Sequence, residues 1–186
     1  MGHLGNPGIS QNTHAFNQPL SQWNTSAATD MTRMFALARS FNQDISAWNT
    51  ANVTTLAGMF RSFGFSGFHG FNRSVNAWDV SAVTDMSEMF ALSDYNQPLT
   101  GWDVSAVTTM RAMFLSGLFN QPIGSWDVSS VRDMGFMFAS AITNQQRAFF
   151  DQDIGGMGCL VRHRHGSDVR RCRRRPLSTL RFQQRW

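Results

Sequence analysis

Bulky apolar residues recur along this chain at a long fixed interval, not at the short periods of a single helix or strand. Aligned on an opening aromatic, the stretches FNQPLSQWNTSAATDMTRMFALA from Phe16, FNQDISAWNTANVTTLAGMFRSF from Phe41 and FNRSVNAWDVSAVTDMSEMFALS from Phe71 are near-copies. YNQPLTGWDVSAVTTMRAMFLSG from Tyr95 and FNQPIGSWDVSSVRDMGFMFASA from Phe119 complete five, and a partial copy, FDQDIGG, opens at Phe150. The copies start 25, 30, 24 and 24 residues apart. Trp23, Trp48, Trp78, Trp102 and Trp126 each fall seven residues after the opening aromatic, and a Met-Phe pair follows eleven residues after each Trp.

A unit this short cannot bury its own apolar side, so it is stable only when neighbours stack on both faces. Stacking turns the repeated Phe, Leu/Ile, Trp, Val and Met positions into inner ladders. The pattern predicts a repeat solenoid over residues 16–156, preceded by a leader over 1–15 and followed by a tail over 157–186. Two extended stretches can be read in each copy, around PLSQW and around VTDM. SEMFAL and its equivalents read as one helical turn. The predicted coil is therefore right-handed and leucine-rich-repeat-like, with short parallel strands and short helical turns.

Polar positions recur as strictly. Asn17, Asn42, Asn72, Asn96 and Asn120 hold the second place of each copy, where stacked amides can bond the backbone of adjacent turns, so an asparagine ladder is expected. The Asn/Asp-x-Ser triplets at Asn24, Asp79, Asp103 and Asp127 suit local side-chain turns that end one extended stretch before the next. Stacked at about 5 Å, Asp79, Asp103 and Asp127 would repel unless hydrogen-bonded or bridged by a cation. Calcium wants about 6 to 8 oxygens, which no copy supplies, so turns are the expected reading and no metal is assigned.

The string FNQxIxxWDVSxVTxMxxMF resembles the repeat of BspA-like leucine-rich-repeat surface proteins, a family of bacterial surface lipoproteins and adhesins with relatives in protists. The resemblance covers Phe16 to about Gly156. It implies cell-surface or extracellular placement and adhesion or host-protein binding, with no catalytic residue and no cofactor. The chain departs from that family in opening without a secretion signal and in ending on an Arg-rich stretch.

Charge sharpens the division. Residues 1–155 hold 7 Arg against 11 Asp plus Glu, a net of −4, whereas 156–186 hold 9 Arg and 1 Asp, a net of +8. The basic character of the whole belongs to the tail. Met157 stands where the sixth Trp is due and the pattern then stops, which marks the tail as disordered or foreign to the repeat's reading frame. Cys159, His163, His165 and Cys172 match no zinc spacing. The run from Arg170 to Pro176 lacks the aromatic interleaving of a nucleic-acid surface. No segment approaches the roughly 20 apolar residues of a membrane span. Asn24, Asn52 and Asn72 fall in glycosylation sequons by repeat consensus.

The copies differ most in the insertion of the second, RSFGFSGFHGF from Arg61 to Phe71. Insertions in repeat arrays map to loops on one face, often the binding face. Phe63, Phe65, Phe68 and His69 are the candidate partner contacts. Within the repeats His69 is the only His, Glu88 the only Glu, and Cys is missing, so nucleophile, base and orienter cannot be assembled. The expectation is a non-enzymatic binding or adhesion protein for a protein or glycan partner, the alternative being a structural spacer or coat segment without a ligand.

Overall fold

A computed structural model of the chain describes residues 13–63, 67–140 and 150–157. Each copy is a coil lying against the next, joined by a repeating set of backbone hydrogen bonds. The N–H groups of Met86, Glu88, Phe90 and Leu92 donate to the carbonyls of Thr109, Arg111, Met113 and Leu115, at 2.8–3.1 Å. The same four-bond set runs from Met31, Arg33, Phe35 and Leu37 to Thr55, Ala57, Met59 and Arg61, and it recurs at the other two junctions. A counter-running bond comes from the next copy's threonine row, Thr84 N–H to the Thr54 carbonyl at 2.8 Å.

These bonds do not make strands. Among the described residues the regular secondary structure is one short 3-10 helix, Thr13–Ala15, and isolated parallel bridges such as Asp85↔Thr109. The expected coil of short strands and helical turns is therefore corrected: turns build each copy, no sheet forms, and the leucine-rich-repeat-like class is not what the backbone adopts.

Left-handed residues account for both failures. The residue just before each Met-Phe pair has positive φ: Arg33, Gly58, Glu88, Ala112 and Phe136, at 54°, 61°, 56°, 54° and 61°. Leu37, Leu92 and Ser116 repeat the geometry four residues later. A helix cannot pass through a left-handed residue, and a strand cannot either. SEMFAL thus becomes two tight turns, Met89 N–H to the Met86 carbonyl at 3.3 Å and Ala91 N–H to the Glu88 carbonyl at 3.0 Å. The reversed peptide aims the Glu88 N–H along the stack instead, at Arg111.

Side-chain corners cut the remaining stretches short. Asp79 accepts from Ser81 N–H at 3.0 Å, and Asp103 and Asp127 accept likewise from Ser105 and Ser129. A second corner follows six residues on, where Asp85 and Asp133 accept from Ser87 and Gly135 N–H at 2.8 and 2.7 Å. Thr55 and Thr109 fill that corner in the alternate copies. Along this row Asp30, Thr55, Asp85, Thr109 and Asp133 alternate acid with hydroxyl, so no carboxylate stacks directly on another.

The core is a double aromatic ladder. Phe16, Phe41, Phe71, Tyr95, Phe119 and Phe150 stack ring on ring at 5.8–6.4 Å. Phe35, Phe60, Phe90, Phe114 and Phe138 form the second rail at 5.6–5.8 Å. Cross-rungs join the rails at 3.9–4.1 Å, as between Phe60 and Phe71. Near-parallel offset rings at these separations gain attraction beyond the area they bury. Tyr95 adds a buried hydroxyl without a hydrogen-bond partner among the described residues. Burial raises the Tyr95 pKa and keeps the phenol neutral.

Candidate functional site

The recurring residues are tied into the stack. The N–H of Asn42 donates to the Asn17 side-chain oxygen at 2.9 Å, and the same bond links Asn72 to Asn42, Asn96 to Asn72 and Asn120 to Asn96. Asp151 N–H continues it onto Asn120 at 3.1 Å. The neighbouring Gln43, Gln97, Gln121 and Gln152 reinforce it by donating to the preceding Asn. Arg73 replaces glutamine in the third copy and reaches the Asn42 carbonyl at 3.1 Å. The Asn-Gln dipeptide was visible in the sequence, but only the register of the coils shows that the second residue braces the first.

The Trp row is held in the same way. The indole N–H groups of Trp48, Trp78, Trp102 and Trp126 donate to the carbonyls of Leu20, Ile45, Val75 and Leu99 in the preceding copy, at 2.9–3.3 Å. Trp23 and Trp48 stack at 6.3 Å, Trp48 and Trp78 at 6.4 Å, and Trp102 and Trp126 at 6.4 Å. Trp23, on the outermost described coil, is 50% exposed, against 5% for Trp48. Met157 is buried and repeats the rung's backbone bond, donating to the Ile154 carbonyl at 3.0 Å. A smaller apolar residue therefore takes the sixth Trp place. Cys159, His163, His165, Cys172 and the run from Arg170 to Pro176 lie outside the described residues.

The insertion from Arg61 to Phe71 divides its candidates between inside and outside. Phe63 is 39% exposed, with the Arg61 guanidinium 3.7 Å from its ring centroid. Phe65 lies outside the described residues. Phe68 is half-buried. His69 is fully buried and offers no surface to a partner, which corrects its reading as a contact residue.

What His69 does instead is pin the insertion to the copies on either side of it, the first and the third. Phe71 N–H donates to its Nδ1 at 3.2 Å, which leaves Nε2 as the protonated nitrogen donating to the Phe35 carbonyl at 2.8 Å. Its backbone N–H bonds Leu92, and its carbonyl accepts from Asp94 N–H and Ser93 Oγ. Burial lowers its pKa to about 4, against opposing contributions from the Phe35 carbonyl and Asp94. The bond that Nδ1 accepts from Phe71 requires the neutral imidazole.

Outside the ladders, charge and exposed apolar surface gather along the left-handed turns. Arg61 pairs with Glu88 of the next copy, and Arg33 lies beside it, its Cγ 3.3 Å from where a Cβ on Gly58 would stand. Burial, and after it the charge of Arg33, lowers the Arg61 pKa to about 10. Two copies on, Arg111 sits 4.9 Å from the Phe136 ring centroid and 3.6 Å from Asp133. Phe136 is 44% exposed. The face thus carries two arginine–phenylalanine pairs, Arg61–Phe63 and Arg111–Phe136, flanked by Glu88 and Asp133. Phe136 went unmarked in the sequence because it stands inside a repeat, at the left-handed position that Ala112 holds, buried, in the preceding copy.

The Asp79, Asp103 and Asp127 row stays on the surface. Hydrogen bonds from Ser81 and Ser105 hold the first two carboxyls below the usual range, side chain first and then backbone, and the Ser129 backbone N–H does so for the third. Mutual repulsion acts in the other direction on Asp79 and Asp127. Among the described residues no three His, Cys, Asp or Glu side chains converge as a metal site would need. No helix among them is long and apolar enough to cross a membrane.

The model of one family, described as Mycoplasma protein of unknown function, DUF285, matches residues 8–64 and again 62–152. The chain belongs to that family. The two DUF285 matches meet at residues 62–64, at the start of the His69-pinned insertion, and together they span the stacked copies. No curated protein and no solved structure matches this DUF285 chain.

Proposed function

We propose that this DUF285 chain is a non-enzymatic recognition protein that binds a protein or glycan through the face of left-handed turns. One observation carries the reading. The residues shared by all copies are engaged in stacking and corners, whereas the exposed aromatics Phe63 and Phe136 stand where the copies differ, each under an arginine. Exposed aromatic and arginine side chains are the types that dominate binding energy at interfaces. The resemblance to BspA-like surface proteins adds cell-surface or extracellular placement and adhesion to the proposal. A spacer without a ligand is the second reading, favoured by the opposite faces, where exposed Asp79, Asp103 and Asp127 only close corners.

The test is a binding screen of the full chain against extracellular-matrix proteins and a glycan array, repeated with Phe63→Ser and Phe136→Ser combined. The expected result is at least tenfold weaker binding of the ligand found, about 1.4 kcal/mol, with the thermal midpoint unchanged. Equal binding by the variant would place recognition elsewhere, and no ligand in the screen would favour the spacer.

A further inference from the structure

The junctions between copies are polar, and among the described residues one end of that polarity meets no acceptor. At all four interior junctions the earlier copy supplies N–H groups along the left-handed turn and the later copy supplies carbonyls. Met110, Ala112 and Phe114 donate in this way to Asp133, Gly135 and Met137, at 2.8–3.0 Å. In the fifth copy the equivalent donors are the N–H groups of Met134, Phe136 and Phe138. Among the described residues none of the three has an acceptor.

The side chains of the same turn are unfinished too. Met134 is only partly buried, whereas its row-mates Met31, Leu56, Met86 and Met110 are each at 0% exposure. Phe138 is likewise partly buried, while Phe60, Phe90 and Phe114 are buried. The sixth copy covers only the opening part of the coil: Phe150 stacks on Phe119 and Phe138, and Met157 takes the Trp place. The stretch that would lie against Met134–Phe138 is not among the described residues.

A row of N–H groups with that spacing and apolar flanks selects a partner of defined chemistry. The partner must present backbone carbonyls on alternate residues in the turn conformation of the repeat, with a Met and a Phe to continue the two rows. The repeat's own segment meets this description, as Asp85, Ser87 and Met89 show by accepting from Leu56, Gly58 and Phe60. We propose that the fifth-copy edge is an addition site for a repeat-type segment supplied by a second chain. The mode is edge addition, with main-chain bonds giving affinity and side-chain rows giving specificity. It adjoins the arginine–phenylalanine face at Phe136, whose ring belongs to that face and whose N–H belongs to the edge.

Amide hydrogen exchange on the full chain tests it, with a synthetic peptide of residues 83–93, VTDMSEMFALS, as the probe. In the dilute free chain the amides of Met134, Phe136 and Phe138 should exchange at least tenfold faster than those of Met110, Ala112 and Phe114. Saturating peptide should slow the first three at least tenfold and leave a scrambled peptide without effect. Protection that rises with protein concentration and is lost on dilution would also support the proposal, the second chain then supplying the segment. Protection independent of concentration would overturn it, because the chain's own residues would already fill the edge. No slowing by the peptide, or equal slowing by the scrambled one, would overturn it as well.

Discussion

The most consequential residue in each copy carries no signature of its own. Arg33, Gly58, Glu88, Ala112 and Phe136 share a left-handed backbone, yet four of the five are not glycine. A non-glycine residue there costs roughly 1–2 kcal/mol. Ala112→Gly should therefore be neutral or stabilising by up to about 1 kcal/mol in chemical denaturation. Ala91→Gly, at a buried site without positive φ, should lose about 1 kcal/mol. Gly58→Ala should also lose about 1 kcal/mol, since its Cβ would meet the flexible Arg61 Cδ at 2.9 Å as well as the φ of 61°. A helical reading of SEMFAL follows from good helix formers, and the residue types do not reveal the reversal at Glu88. That reversal depends on a carbonyl of the next copy, at Arg111, which a local reading cannot see.

His69 gives a pH dependence of fixed sign. Its folded-state pKa of about 4 lies below the unfolded value near 6.5, so the unfolded chain binds the extra proton between those limits. Stability from this group is complete above the upper limit and is lost as pH falls through the window, by about 3 kcal/mol in all. Equilibrium denaturation between pH 7 and 4.5 should show that slope. His69→Leu should flatten it, and should be less stable at pH 7 by about 2–3 kcal/mol because the Phe35 carbonyl and Phe71 N–H lose their partner. Carboxyls such as Asp44, whose pKa is lowered chiefly by the Ser46 backbone N–H, act in a separate window below the usual carboxylate value.

At the scale of the coil, the ladders and corners were legible and the elements were not. Asn at the second position and Trp at the eighth announce themselves by recurrence, and each makes its bond to the adjacent copy. Asp79 and its equivalents could be read as turns because a short side-chain acceptor two residues before a Ser closes on itself. Those closures, only six residues apart, leave too little chain between them for a strand. Asn72→Ala removes the acceptor for Asn96 N–H at 2.9 Å and for the Gln97 amide at 3.2 Å, while its own N–H keeps its bond to Asn42. It should destabilise by about 1–2 kcal/mol, measurable as a lower denaturation midpoint. The candidate contacts were half legible: Phe63 stood out in an insertion, whereas Phe136 stands at a repeat position held by Arg33, Gly58, Glu88 and Ala112 in the other copies.

Across the whole molecule, stability comes from neighbours. Each copy contributes two aromatic rails, one Trp rung, one Asn bond and four backbone bonds to the copy beside it, and none of these can form in a copy alone. The shared residues are thereby occupied with stacking, and the faces where copies differ are the ones to which we assign the proposed recognition. The central claim is that left-handed turns, not helices or strands, join the copies. Scalar couplings across hydrogen bonds, recorded as long-range amide-to-carbonyl correlations by NMR, test it bond by bond. The account predicts correlations from Glu88 N–H to the Arg111 carbonyl and from Phe90 N–H to the Met113 carbonyl. A correlation from Glu88 N–H to the carbonyl of Thr84, the bond of a continuous helix, would contradict it.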